Sequence, residues 1–176
     1  LLTILLGSLA LQSRAQLTPF QSMYYRNRYL LNPAMAGMDK GLDLNINYRK
    51  QWSSFPGTPQ VGSLTADFSP TDKTGIGLNI NDNQSGFLRS TRALASYAYH
   101  LPLDDRNGHL NFGLSFGVDD SRIDYNKVNG DLSDEEISAY NTLKPYVDGA
   151  VGVSYTNNNL LISAALPSLE STLFKA

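Results

Sequence analysis

The sequence predicts an all-β protein, specifically an antiparallel transmembrane β-barrel of which about seven strands are present. Three observations predict it. Apolar and polar residues alternate in segments of strand length, short connections alternate with longer ones, and aromatic residues cluster near the ends of the strands.

Composition narrows the classes of protein that fit. The chain has 176 residues, of which 41% are hydrophobic, so it is not a bundle of membrane helices. It contains no cysteine, which excludes a disulfide framework and thiol chemistry. The net charge is −2 and the 14 Lys and Arg residues are scattered, without the basic run typical of a chain that binds nucleic-acid phosphates. Composition therefore gives no reason to expect a nucleic acid partner.

Residues 1–15 are predicted to be a cleaved signal peptide. Leu1–Leu11 form an apolar run of signal-peptide length, too short to span a bilayer as a helix. Small residues stand at positions −3 and −1 before Gln16, as cleavage requires. The start lacks an initiator Met and a positive leader, so we expect it to be clipped. The alternative is a buried N-terminal helix.

Residues 16–40 are predicted to be a periplasmic N-terminal segment. Within it, Pro33 fixes its own φ and biases Asn32 toward extended backbone. Two interpretations of Asn32, Pro33, Ala34 and the following Gly37 stay open. They form either a structural turn that delivers the chain into the first strand or a docking element for periplasmic machinery. Arg49 and Trp52 belong to the same candidate motif, either as docking residues or as a lumen charge and a girdle aromatic.

Residues 41–176 are predicted to form the β-barrel domain, which is incomplete because seven strands are half of a plausible barrel. In the first strand, each apolar residue is followed by a polar one. The polar members are Asp43, Asn45, Asn47 and Arg49, a composition suited to a wet lumen. The other predicted strands are 61–68, 75–81, 91–101, 110–119, 147–155 and 160–166.

Alternation alone does not distinguish a barrel from a soluble sandwich, which turns its apolar face to a second sheet. Connection lengths favour the barrel. The turns at 69–73, 104–108 and 156–159 are short, whereas the loop at 120–144 is long, as expected for periplasmic turns and extracellular loops. Inside that loop, Ser133 and Glu136 make a capping box that predicts a short helix.

The positions of the aromatic residues also favour the barrel. Tyr48 and Trp52 fall near one end of the predicted strands. A second set falls near the other end on the apolar face, as in the aromatic girdles at the two membrane interfaces. That second set comprises Phe68, Tyr97, Tyr99 and Tyr155.

The mature chain resembles the PorP/SprF family of Bacteroidetes outer-membrane proteins. The resemblance depends on a Leu-Asn-Pro-Ala and Ala-Gly segment, a strand ending in Tyr-Arg-Lys-Gln-Trp, and a loop with Gly-x-Pro. Later matches lie at 75–78, 96–103 and 146–169. Family members are longer, so the chain is expected to be an N-terminal fragment, with a barrel closed by two chains as the alternative. The matching residues are Leu31, Asn32, Pro33, Ala34, Ala36, Gly37, Tyr48, Arg49, Gln51, Trp52, Gly57 and Pro59.

The resemblance implies an outer-membrane partner of the type IX secretion system. Its expected partners are a secreted cargo protein such as a gliding adhesin, other secretion components and outer-membrane lipid. It would assist export or surface attachment of that cargo, and no enzymatic activity is implied. Two alternatives stay open, namely a passive or substrate-selective porin and a soluble exported β-sandwich adhesin.

Signals for other chemistry are weak. His100 and His109 flank one turn without a supporting carboxylate pair, and no Gly-x-Ser-x-Gly elbow is present. We therefore predict no catalytic residues, no cofactor and no metal. The long loop at 120–144 is acidic, but its residues do not have the EF-hand spacing. It is therefore either a solvated loop or a contact for cargo or for a divalent cation. Its candidate residues are Asp124, Asp131, Asp134, Glu135 and Glu136.

Overall fold

A computed structural model describes residues 26–52, 57–103, 108–124 and 144–170. These residues form one antiparallel sheet in which each strand pairs with its neighbours in the sequence. The sheet curls into a half-barrel, which confirms the predicted fold class and all seven predicted strands. The strands are β1 (Leu42–Lys50), β2 (Gln60–Thr71), β3 (Thr74–Ser85), β4 (Leu88–Pro102), β5 (His109–Ile123), β6 (Tyr146–Asn157) and β7 (Leu160–Leu166).

The two faces of the sheet reverse the pattern of a soluble protein. On the convex face, large apolar side chains are exposed, including Ile46 at 74% and Leu114 at 62%. On the concave face, polar side chains are buried, including Thr65 and Asn111 at 0%. A sandwich needs a second sheet over the apolar face, and the described ranges contain only one sheet. Hydrocarbon is the environment that suits this convex face.

Strand register groups the convex apolar residues into a continuous band. On β5 the band runs from Leu110 to Val118. At about 3.4 Å per residue, that is about 27 Å along the strand, or roughly 20 Å along the membrane normal at the usual tilt. This height is close to the apolar band of known membrane barrels, which is about 25 Å.

The strand ends fall into two groups. The turn end of the sheet carries the connections 72–73, 103–108 and 158–159. The loop end carries 51–59, 86–87 and 124–145. The connection at 86–87, between β3 and β4, does not follow the alternation of short and long loops that the sequence predicts. It is a two-residue turn with Gly86 at a φ of 62°, because β3 and β4 extend beyond their apolar stretches.

Several predictions lie outside the described residues. These are the signal peptide at 1–15, the short helix after Ser133, and four acidic loop residues, Asp131, Asp134, Glu135 and Glu136. Among the residues that the structure describes, no helix has the length and apolar character needed to cross a bilayer.

Candidate functional site

The concave face of the sheet is occupied by residues 27–37, which we call the inner segment. Its only regular element is a 3-10 helix, Pro33–Met35, which packs against β4, β5 and β6. Tyr29, Met35 and Ala36 form a small apolar core with Ala98 of β4. The segment that precedes the first strand is therefore part of the interior of the half-barrel.

Asn32 fixes the inner segment to the last two strands. It is 1% exposed, and its side-chain oxygen accepts a hydrogen bond from Ala34 N at 2.8 Å, which caps the 3-10 helix. Its amide nitrogen lies 2.7 Å from Ser163 Oγ and 3.3 Å from the carbonyl oxygens of Val153 and Ala164. Both ends of the buried amide are thus satisfied, which keeps its burial from being costly.

Glycines on the concave face make room for the inner segment. Gly113 of β5 and Gly152 of β6 are cross-strand partners. A Cβ on Gly113 would overlap the backbone of Pro33 and Ala34, and a Cβ on Gly152 would overlap the Asn32 side chain. The strand backbone must come this close to the segment, so only glycine fits at these two positions.

Further hydrogen bonds fix the segment to β2, β3 and β4. Each one pairs a polar group of the segment with a side chain from the buried polar face of the sheet, so that neither partner is left without a bond. They join Asn27 Nδ2 to Thr65 Oγ1 (2.6 Å), Asn79 Nδ2 to the Leu30 carbonyl (3.2 Å), His100 Nε2 to the Ala36 carbonyl (3.0 Å), and Gly37 N to the Asp67 carboxylate (2.7 Å).

Tyr29 extends the network to the middle strands. Its hydroxyl donates to Ser96 Oγ at 2.9 Å, and Ser96 Oγ lies 2.6 Å from Ser115 Oγ. Burial raises the pKa of Tyr29 to about 12, since a buried phenolate would lose its hydration. The hydroxyl therefore stays protonated and acts as a donor at physiological pH.

A second cluster closes the concave face toward the loop end. Arg92 of β4 contacts the Asp148 carboxylate of β6 at 2.6 Å and also the carbonyl of Pro167. Asp148 in turn accepts hydrogen bonds from the backbone N–H groups of Gly149 and Glu170 at 2.8 and 3.1 Å. This buried ion pair holds the chain that follows β7 against the interior.

The structure separates the motif residues that the sequence grouped together. Asn32, Pro33, Ala34 and Gly37 all lie within the inner segment. Arg49 lies at the other end of β1, on the polar side of that strand, and Trp52 follows the strand with 71% exposure and a φ of 50°. Of the acidic candidates, Asp124 is described, and its N–H donates to the Phe87 carbonyl at 2.7 Å.

Sequence reasoning missed the residues that receive the inner segment. Gly113 and Gly152 lie on the polar side of their strands, where the alternation pattern alone predicts a wet lumen. Small residues at several such positions, together with a Leu-Asn-Pro-Ala segment upstream, were the available signal of a closely packed interior.

The site is better suited to binding and structural support than to catalysis. A cavity of about 290 Å³ remains beside the segment, lined in part by Arg28, Tyr29, Asp39, Asp43 and Asp67. The Asp67 carboxylate is already bonded to Gly37 N. Within the described ranges, no group of three or more His, Cys, Asp or Glu side chains could hold a metal ion.

Comparison with protein families agrees with this architecture. The family model described as type IX secretion system membrane protein PorP/SprF matches residues 13–175, a range that includes the inner segment and all seven strands. This chain belongs to the PorP/SprF family. It is accordingly a membrane component of the type IX secretion system. Neither a curated protein nor a solved structure matches the chain significantly.

Asn32→Ala is expected to destabilise this PorP/SprF protein by about 3 kcal/mol, because the cap is lost and buried partners are left unsatisfied. The measurement is urea unfolding of the refolded protein in lipid vesicles. The matched control is Asn45→Ala on β1, where the amide makes only an exposed bond to Asp43 at 3.1 Å. We expect the control to change stability by less than about 0.5 kcal/mol. Equal effects of the two substitutions would show that Asn32 does not anchor the segment.

Proposed function

We propose that this PorP/SprF protein is a non-enzymatic outer-membrane partner that assists the export or surface attachment of one secreted protein, such as a gliding adhesin. It would act by binding that protein. The observation that supports this role best is the occupied concave face. Because the inner segment and the Arg92–Asp148 cluster fill this side of the sheet, cargo would meet the loop end, with the convex face in lipid.

The acidic loop is the proposed contact for cargo, and it would face the cell exterior. The loop residues that we propose for this contact are Asp124, Asp131, Asp134, Glu135 and Glu136. Changing all five to the corresponding amides removes five negative charges while keeping side-chain size. We expect the amount of cargo that co-purifies to fall by about tenfold, a loss typical of removing several interfacial charges.

A chelator arm of the same experiment addresses the divalent-cation alternative. Cargo binding that is lost with chelator and restored by added Ca²⁺ or Mg²⁺ would favour a bridging cation. Unchanged binding by the five-amide variant would remove the loop from the proposed contact, whatever the chelator does.

Affinity purification from cross-linked native outer membranes tests the role itself. We expect a secreted protein and type IX secretion components among the captured proteins. Deletion of the gene should abolish surface display of that secreted protein while its synthesis continues, and the wild-type gene should restore display. Capture of no exported protein, together with steady ion conductance of the purified protein in planar bilayers, would favour the porin alternative.

A further inference from the structure

Beyond the apolar band, strand register places three cations in one outward-facing row at the loop end. Lys50 is opposite Gln60, Gln60 opposite Gln84, Gln84 opposite Arg89, and Arg89 opposite Arg122. The row crosses five strands and contains no acidic residue. We call Lys50, Arg89 and Arg122 the cationic row.

The depth of the cationic row matches the level of lipid headgroups. On β5, Arg122 lies four residues beyond Val118, the last apolar position, which is about 13 Å along the tilted strand. On β1, Tyr48 lies between Ile46, in the last apolar row, and Lys50. Aromatic rings of this kind sit at the headgroup level, so the cationic row begins where phosphate groups are found.

The row immediately below the cationic row orients the two arginines. Asp82 accepts from Arg89 Nε at 2.8 Å and from Arg89 Nη2 at 3.2 Å, and Asp120 contacts Arg122 Nε at 2.7 Å. The arginine side chains are nevertheless 58% and 65% exposed. A guanidinium carries five N–H donors, so each keeps donors for a second anion.

We infer that the cationic row binds the phosphate groups of lipid A in the outer leaflet. The row is continuous with the lipid-facing band, and its charge complements a phosphorylated headgroup. Lipid A offers two phosphates on a wide headgroup, which suits cations spread over several strands better than a single phosphate does. This inference rests on the proposed outer-membrane location but not on the secretion partner.

Native mass spectrometry of the purified protein in detergent micelles tests the inference. The probes are diphosphoryl lipid A, phosphatidylcholine and inorganic phosphate. The test variant carries K50Q, R89Q and R122Q. The control variant carries K40Q and K73Q, which remove two cations at the turn end. Heat-modifiable migration on gels verifies that each variant is folded.

We expect the triple variant to bind lipid A at least about tenfold more weakly than the wild type, and the control to stay within about twofold. Added salt should weaken wild-type binding because the contacts are exposed. The charge-preserving substitutions R89K and R122K should give lipid A binding between that of the wild type and that of the triple variant. Equal lipid A binding by the triple variant and the wild type would overturn the inference, as would binding of phosphatidylcholine equal to lipid A.

Inorganic phosphate that displaces lipid A completely would also overturn it, by revealing a site for free anions. Because the lipid A binding measurement uses no secretion component, a negative result would leave the proposed secretion role untouched. A failed cargo capture would equally leave the lipid contact standing.

Discussion

Gly113→Ala is expected to prevent the inner segment from seating on the sheet and to lower the free energy of unfolding by about 3 kcal/mol or more. The added methyl group would overlap the backbone of Pro33 and Ala34, which cannot rotate away as a side chain could. Either β5 shifts or the segment detaches. Detachment would also forfeit hydrogen bonds that contribute about 1 kcal/mol each.

The chain provides a convenient probe and a matched control for this experiment. Trp52 is the single tryptophan, so its fluorescence reports urea unfolding in lipid vesicles. The control is Gly62→Ala on the convex face of β2, where a new Cβ would lie 3.9 Å from its nearest neighbour, the Asp82 carbonyl. We expect the control to unfold within about 0.5 kcal/mol of the wild type.

A cysteine reporter separates detachment of the segment from general unfolding. The chain has no native cysteine, and Met35 is only 4% exposed. Met35→Cys should react slowly with a maleimide when Gly113 is intact and rapidly when alanine replaces it. If the alanine variant kept both its stability and its protection of position 35, the seating of the inner segment would not depend on Gly113.

The sequence predicts that Pro33 lies in a turn, but not what the turn contacts. Local rules fix the backbone of Asn32 and Pro33 because they depend on neighbouring atoms only. The side chain of Asn32 meets Val153, which is 121 residues away in the chain. Such a contact depends on strand register and sheet curvature, which the alternation pattern does not determine. This is why the sequence leaves the docking interpretation of the motif open beside the structural one.

The alternation pattern also does not determine where the strands end. The alternation predicts β5 over 110–119, whereas the strand reaches Ile123, and it predicts β4 from residue 91, whereas the strand begins at Leu88. In the membrane, lipid on one face and a polar interior on the other impose strict alternation. Beyond the apolar band both faces meet polar surroundings, so the alternation disappears while the hydrogen-bonded ladder continues. The alternation therefore does not identify Arg89 and Arg122, which lie in these extensions, as strand residues.

Leu114→Arg is expected to reduce the stability of the inserted protein by about 2–4 kcal/mol, the cost of placing arginine at the bilayer midplane of a barrel. Leu114 is 62% exposed and stands midway between Leu110 and Val118 on the convex face. In a water-soluble protein, the same substitution at so exposed a position would change stability little. The sign and size of the effect thus report which solvent covers the convex face.

Position along the strand supplies the control for this substitution. Val118→Arg, at the edge of the apolar band, should cost less than Leu114→Arg, because the penalty declines toward the interface. Gln84→Arg is also outward-facing but lies in the cationic row, so its expected cost is near zero. The measurement is equilibrium folding into phospholipid vesicles for all three variants. Equal stability costs for the three substitutions, or a Leu114→Arg variant that is soluble without detergent, would indicate that water covers the convex face. The membrane-spanning interpretation would then fail.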